Sequence, residues 1–433
     1  MNEIIDSGAS RLGGPFGMPS HPERATALGE IHSRPFTLVR TPRAILQLAF
    51  ITDEAEPASD LAVLAELCRM RGLSGPDPEA RHHTLEWGSG TLRWERHTEF
   101  TAWWWVAPAP PDFLDPLKGR PFGNGFRAPG QLISAVRLDV RTGGEGDEEW
   151  LAPFDPVSLC WSEMDGGLAK AATDFRQDAD GLTRILVVDG GLGPARAGAL
   201  SQRLIEIETY RTLAMLGLPV AQALGPRLRR IQSRLAEITA ELRDGKASDG
   251  QRLLDELIDL AAELEADAVA ALHRFGASRA YDEIVGQRLA AVGEQPISGY
   301  ETWSAFLKRR LQPAMRTCRS VEERQASLSQ KLARGANLLR TRIDVELERQ
   351  NRDLLSSMNR RARLQLRLQR TVEGLSVAAV SYYVVGLLYY LFQGAEEAGL
   401  VLDPTVAAAA AVPPVVLAVW WMVRRIRRRS DEE

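Results

Sequence analysis

The sequence predicts an α+β cytoplasmic domain, then a helical stalk or coiled-coil region, then a C-terminal two-helix transmembrane hairpin. Three observations lead there. Up to about residue 190, short runs rich in β-branched and aromatic residues alternate with turn residues. Helical periodicity then takes over for the rest of the chain. Two uncharged apolar runs, 374–392 and 405–423, lie at the C-terminus, each near the ~20 residues an α-helix needs to cross a bilayer.

In chain order, residues 1–43 are rich in Gly, Pro and polar residues and read as an irregular arm. Residues 44–190 form the α/β domain. Ala44–Ile51 reads as a buried strand, and 59–73 as a helix with Leu61, Leu64, Leu67 and Cys68 on one face. Strands follow at 81–87, 91–98, 99–106, 132–140, 157–161 and 184–188, with a tight turn at Gly88-Ser89-Gly90. One helix followed by hairpin-connected strands predicts an antiparallel or mixed sheet.

Residues 191–312 read as a helical region, with helices at 194–216, 219–243, 249–274, 277–292 and 301–311. Gly217, Gly245, Gly276 and Gly293 mark the breaks. Pro313 suits a first helical turn, and no further proline occurs before residue 404. A stalk helix over 313–373 therefore runs on into the first span. Its apolar seam passes through Leu328, Leu332, Ala336, Leu339, Ile343, Leu347, Leu354 and Met358, with Asn351 in the same row. Such a seam packs either between subunits or on the upstream helices of the same chain.

Charge sets the orientation of the hairpin. Arg360, Arg361, Arg363, Arg367 and Arg370 precede transmembrane helix 374–392. Arg424, Arg425, Arg427, Arg428 and Arg429 of the tail 424–433 follow transmembrane helix 405–423. The loop 393–404 holds Glu396, Glu397 and Asp403 and no base. Basic flanks stay on the cytoplasmic side, so both termini face the cytoplasm and only the loop crosses. This is a multi-pass topology in a bacterial inner (plasma) membrane. Trp420 and Trp421 fall at an expected interfacial anchor, and Pro413 and Pro414 interrupt the second span. Residues 1–20 contain no apolar signal core.

The bulk composition fits this division. Hydrophobic residues make up 45% and charged residues 25% of 433, and the net charge is −4. The arginines cluster beside the spans, so the remainder is more acidic. That excludes nucleic acid as a partner and makes the lipid bilayer the natural one. Three dispersed cysteines, Cys68, Cys160 and Cys318, fit neither a disulfide framework nor a zinc site.

Candidate chemistry is sparse, and no cofactor motif is present. Residues 92–100 (LRWERHTEF) alternate strictly. A continuous strand would put Arg93, Glu95, His97 and Glu99 on one face. Glu95, His97 and Glu99 would there hold a divalent metal ion. The competing reading is a solvated face with cross-strand ion pairs. Alternation also places Trp103 and Trp105 together, as core or as a stacking platform. The turn Asp189-Gly190-Gly191-Leu192-Gly193-Pro194 resembles a phosphate loop, but the GxGxxG spacing fails at Gly198. In the first span, Ser376, Ala379, Tyr383, Gly386 and Tyr390 share one stripe, a helix-packing or pore-lining face. Glu396 and Glu397 would attract cations to the loop.

Five segments carry a specific resemblance: HPERATALGEIHSRPF (21–36), LRWERHTEF (92–100), RLIEIETYRTLAMLGLP (203–219), LQPAMRTCRSVEERQ (311–325) and RRARLQLRLQRTVEGLSVAAVSYYVVGLLYYL (360–391). Together they resemble an uncharacterised bacterial family of predicted membrane-anchored proteins, the domain-of-unknown-function family numbered three-four-two-two. That resemblance implies no activity, catalytic residue or cofactor. The order of domain, stalk, hairpin and basic tail is also similar, more loosely, to CorA-type divalent-cation channels, which are pentameric. Their Gly-Met-Asn signature is missing, because 389–394 reads Tyr-Tyr-Leu-Phe-Gln-Gly. The expected protein is a membrane-anchored homo-oligomer facing the cytoplasm, with a sensing or scaffolding role rather than a catalytic one. The alternatives are a CorA-like cation channel or transporter without the signature, and a membrane-tethered enzyme.

Overall fold

The computed structural model describes residues 36–52, 58–78, 80–123, 126–244, 250–397 and 403–430, with a few isolated positions before 36. The expected arm therefore lies mostly outside the described residues. The chain divides into two compact units. One comprises Met1–Lys246 with Glu256–Arg334, the other Ala247–Asp255 with Gly335–Glu433.

The first unit is built on a nine-stranded mixed sheet. Its strands are β1 (Arg43–Ile51), β2 (His82–Trp87), β3 (Gly90–Arg96), β4 (Phe100–Pro108), β5 (Gln131–Thr142), β6 (Cys160–Met164), β7 (Ala169–Thr173), β8 (Thr183–Asp189) and β9 (Gln295–Pro296). The spatial order is β2-β3-β4-β1-β5-β8-β7-β6-β9. Among the named strands of the described residues, β5–β8 is the parallel pair and the other pairings are antiparallel. Pro296 lies on the outermost strand, where a missing amide donor costs no ladder bond and blunts the edge.

The two faces of the sheet bury different chemistry. On one, Leu46, Leu85, Leu92, Trp94, Trp103 and Trp105 form a dry core with Leu64, Leu67 and Cys68 of helix α1 (Ala58–Met70). An aromatic ring of this kind buries roughly 150–250 Å². At ~25 cal/mol/Å² that is about 4–6 kcal/mol gross per ring. So Trp103 and Trp105 are core, and Trp104 alternates to the other face. The same dry side holds the fully enclosed Asp139, which pairs with both Arg137 and Arg141 on β5. Those guanidinium groups also donate to the carbonyls of Asp115, Pro110 and Pro111, so the charge cluster pins the 110–115 loop.

The other face is covered by helix α2 (Pro194–Met215). Its Leu200, Leu204, Ile207 and Leu213 are buried. Gly198 is required there. A Cβ at that position would stand 1.9 Å from the carbonyl oxygen of Thr37, so only glycine lets the chain before β1 cross the helix. Helix α3 (Gly217–Arg243) and helix α4 (Gly250–Ala291) follow. In α3, Leu224, Leu228, Ile231, Leu235 and Ile238 form a buried stripe at steps of four and three. Ion pairs Arg227–Asp267, Arg230–Glu263 and Arg234–Glu256 run in opposite sequence directions, so the two helices are antiparallel.

Two expected breaks are absent, and two boundaries shift. Helix α4 passes through Gly276 without interruption. One interior glycine costs about 1 kcal/mol, and the flanking Phe275 and Ser278 are fully packed. Helix α5 (Trp303–Glu397) contains Pro313 in its interior rather than in its first turn. Leu307, Leu311, Ala314, Met315 and Cys318 are buried on both sides of the proline, and this packing offsets the single lost backbone bond. The same helix extends to Glu397, so 393–397 is helical rather than loop; residues 398–402 lie outside the described set. The strand expected at 157–161 forms instead at Cys160–Met164, because Asp155 caps the amide of Val157 in a turn.

In the second unit, the seam of α5 changes character midway. Leu339 is 1% exposed, whereas Leu347 and Leu354 are 58% and 60% exposed. Gly250 explains the covered half, since a Cβ there would lie 3.2 Å from Ile343 and 3.9 Å from Leu339. The chain's own upstream segment thus occupies the seam as far as Ile343. Helix α6 (Pro404–Ser430) is the last element and contains Pro413 and Pro414. Both α5 and α6 contain stretches long and apolar enough to cross a membrane, and only 6% of each stretch is buried. The architecture is therefore α+β with a helical C-terminal region ending in two apolar helices.

Candidate functional site

The residues 92–100 do not form one continuous strand. Strand β3 stops at Arg96, and His97–Glu99 make the turn into β4, closed by His97 N donating to the Phe100 carbonyl at 2.8 Å. The alternation that would align Glu95, His97 and Glu99 is broken at the turn. Glu95 remains on the strand, buried and paired with Arg93 at 3.3 Å. The His97 ring stacks on Phe100 with centroids 4.2 Å apart. Glu99 turns toward α4, where it accepts hydrogen bonds from Arg274 at 2.8 Å and Tyr281 Oη at 2.7 Å, and meets His273 at 3.2 Å. Burial, and then the bond to Glu99, raise the Tyr281 phenol well above its usual range. These carboxylates are matched to cations and hydroxyls. Among the described residues, no group of three or more His, Cys, Asp and Glu side chains is arranged to hold a metal ion.

The turn nevertheless borders a polar cavity of about 150 Å³ between the sheet and α2. Glu95, His97 and Trp104 line its sheet side, and Gln202, Glu206 and Tyr210 its helical side. Glu206 pairs with Arg288 of α4. Trp104 Nε1 is a buried donor and Gln202 Oε1 a buried acceptor, each without a protein partner. Buried polar atoms are normally satisfied, so a small polar molecule or water suits this space. Sequence reasoning found Glu95 and His97 but missed Tyr281, Arg274 and Arg288, which lie about 180 residues away and have no local signature. The Arg137-x-Asp139-x-Arg141 alternation is a local signal of a charged strand face that the sequence reading did not use.

Other candidates resolve simply. The carboxylate of Asp189 accepts from Gly191 N, Leu192 N and Thr41 Oγ1, so the glycine-rich turn is held by its own side chain. All three cysteines are buried. Burial pushes each thiol up, with Glu301 adding to the effect at Cys160. In the first apolar stretch, Ser376, Ala379, Tyr383 and Tyr390 stay exposed and Gly386 is partly covered. The less exposed positions, Val377, Ser381, Val384, Leu388 and Phe392, form the opposite stripe. Glu396 is exposed at the end of α5.

The fold and these sites define a mixed-sheet α+β protein with a long helical region and two apolar C-terminal helices. The family described as "Protein of unknown function (DUF3422)" matches residues 19–430, and the chain belongs to that family. No curated protein matches the chain.

Proposed function

We propose that this chain is a membrane-anchored, cytoplasm-facing protein with a sensing or scaffolding role and no catalysis. One observation supports the anchor above the others. The two apolar helices leave nearly all their apolar surface uncovered, and arginines flank them on the outer sides only. Water is a poor solvent for such surfaces, and hydrocarbon is a good one. The basic flanks favour a hairpin in the bacterial inner membrane with both termini cytoplasmic. Association into a homo-oligomer is supported by the uncovered half of the α5 seam, at Leu347, Leu354 and Met358.

Labelling with an impermeant thiol reagent tests the topology. Glu396→Cys and Ser430→Cys are placed in a variant lacking Cys68, Cys160 and Cys318. In intact spheroplasts the first reacts and the second does not until the membrane is opened. Equal labelling of both before opening would sink the hairpin.

A cation-conducting reading rests on the exposed stripe Ser376, Ala379, Tyr383 and Tyr390, which hydrocarbon suits poorly. A neighbouring subunit or a water-filled lumen would satisfy its hydroxyls. Liposomes loaded with a magnesium-sensitive dye decide between the two. Flux that falls with Gly386→Leu supports conduction, and flux no greater than in empty vesicles leaves the anchor.

A further inference from the structure

A cavity of about 340 Å³ lies where the β7–β8 connection meets α2 and the start of α5. One wall is apolar, made by Met215, Leu307 and Leu311. The polar lining holds three guanidinium groups, those of Arg176, Arg211 and Arg310, together with the carboxylates of Asp155 and Asp174. Two of the guanidinium groups are mounted on stacked rings. Phe175 and Phe306 lie 4.9 Å apart at 16°. Arg211 sits 5.0 Å from the centre of the Phe175 ring and Arg310 4.8 Å from that of Phe306. Stacking fixes the plane of a guanidinium and so the directions of its N–H donors; those of Arg211 are spent mostly on Glu208 and the Phe175 carbonyl.

Two of the nearby acids already pair with the cavity's own guanidinium groups, Asp155 with Arg176 and Glu208 with Arg211, which leaves Arg310. Asp174 accepts from the amides of Asp155 and Arg176. Asp155 accepts from the amide of Val157 and from Ser158 Oγ, and pairs with Arg176. The Val157 amide first, and Arg176 second, hold the Asp155 carboxyl below its usual range. Glu208 is held by Arg211 in a two-pronged pair. Among the described residues, no carboxylate pairs with Arg310.

A backbone outlier sits at the centre. Phe175 has φ +56°, the left-handed region that bulky side chains avoid. Thr173 Oγ1 accepts its amide, and Arg211 donates to its carbonyl. Trp303, packed edge-on against the ring, is anchored by Glu294, which accepts the Trp303 and Ser304 amides. Such strain persists only where the surroundings over-determine it, and it clusters at binding sites.

We propose that this cavity binds a small organic anion, with its phosphate or carboxylate on Arg310 and the neighbouring guanidinium groups and a short aliphatic body against Met215, Leu307 and Leu311. Cavities of this size with an apolar wall and a few fixed polar groups are the usual form of small-molecule sites. Guanidinium groups match planar or tetrahedral anions by paired donors. The site does not depend on whether the C-terminal helices enter a bilayer.

The test uses the full chain in a neutral maltoside detergent and follows thermal unfolding by tryptophan fluorescence. Hexyl phosphate, below its own aggregation limit, should raise the midpoint saturably by ~2 °C or more. Inorganic phosphate at equal ionic strength should act at least tenfold more weakly. Arg310→Gln, at an exposed position, should melt like the parent without ligand and lose the hexyl phosphate response. Arg424→Gln with Arg425→Gln should keep it. No saturable shift in the parent, or a full shift in Arg310→Gln, overturns the site. A response lost only in the Arg424/Arg425 variant places the anion at the C-terminal arginines instead, as a lipid headgroup would bind, and also overturns it. Equal potency of inorganic phosphate overturns the organic body.

Discussion

Around β3 and β4, Trp94, Trp103 and Trp105 are sealed from solvent, whereas Tyr383, Leu387 and Tyr390 of α5 and Trp421 of α6 are more than half exposed. The two regions use similar residues. What differs is whether the chain supplies the solvent for them. In the sheet it does, through α1 and through Leu117, Phe122 and Phe126, so burial contributes to folding. In the last two helices it does not, so the apolar surface must be solvated from outside. The composition of a segment therefore says less than the presence of a partner at the right spacing.

That comparison can be broken by substitution. Trp103→Ala should cost about 3–5 kcal/mol, because it empties a fully packed site. Tyr383→Ala, at a side chain 71% exposed, should stay within about 0.5 kcal/mol in detergent. Urea unfolding by circular dichroism measures both, and similar losses would erase the distinction. The seam of α5 offers the same contrast within one helix. Leu339→Asp should lose about 2–4 kcal/mol, since it places a charge in a covered contact. Leu354→Asp should leave the unfolding midpoint unchanged and lower the native mass seen by light scattering. If both variants unfold alike, the seam is not divided at Ile343.

Two smaller effects sharpen the account of the sheet. Gly198→Ala should cost about 1–3 kcal/mol, because the added methyl meets the Thr37 carbonyl and the crossing must open. A thermal midpoint equal to that of the parent would show that the crossing gives way freely. His83, 3.6 Å from the sulfur of Cys68, has its imidazole pKa lowered by burial and then by His82. The folded state thus prefers the neutral ring. The stability it contributes is fully present above the unfolded value of about 6.5 and is lost as pH falls below that. His83→Gln should flatten the decline in urea midpoint between pH 7.5 and 5.5. An unchanged slope would assign it to other groups.

The α+β class, the helical switch near residue 194 and the two apolar helices were legible because each rests on local periodicity. The breaks at Gly276 and Pro313 were misread for a related reason. A glycine or proline signals locally, but distant packing of Phe275 or Met315 decides whether the helix continues. The candidate site suffered more. Strict alternation over 92–100 matched a strand, yet the Glu99 carboxylate is claimed by Arg274 and Tyr281, whose approach depends on the whole helical layer. Strand β9 was invisible for the same cause: two residues, one of them proline, have no strand signature.

That last strand has a consequence for synthesis. Ser162 and Glu163 of β6 pair with Pro296 and Gln295, and Trp161 donates to the carbonyl of Glu301. At ~5–20 residues per second, the ribosome needs on the order of ten seconds between the two strands. During that interval β6 is a raw edge, open to any extended chain nearby. Completion of the sheet is thereby timed by the translation of α2, α3 and α4, so the nascent protein has a window of vulnerability that the finished one no longer shows.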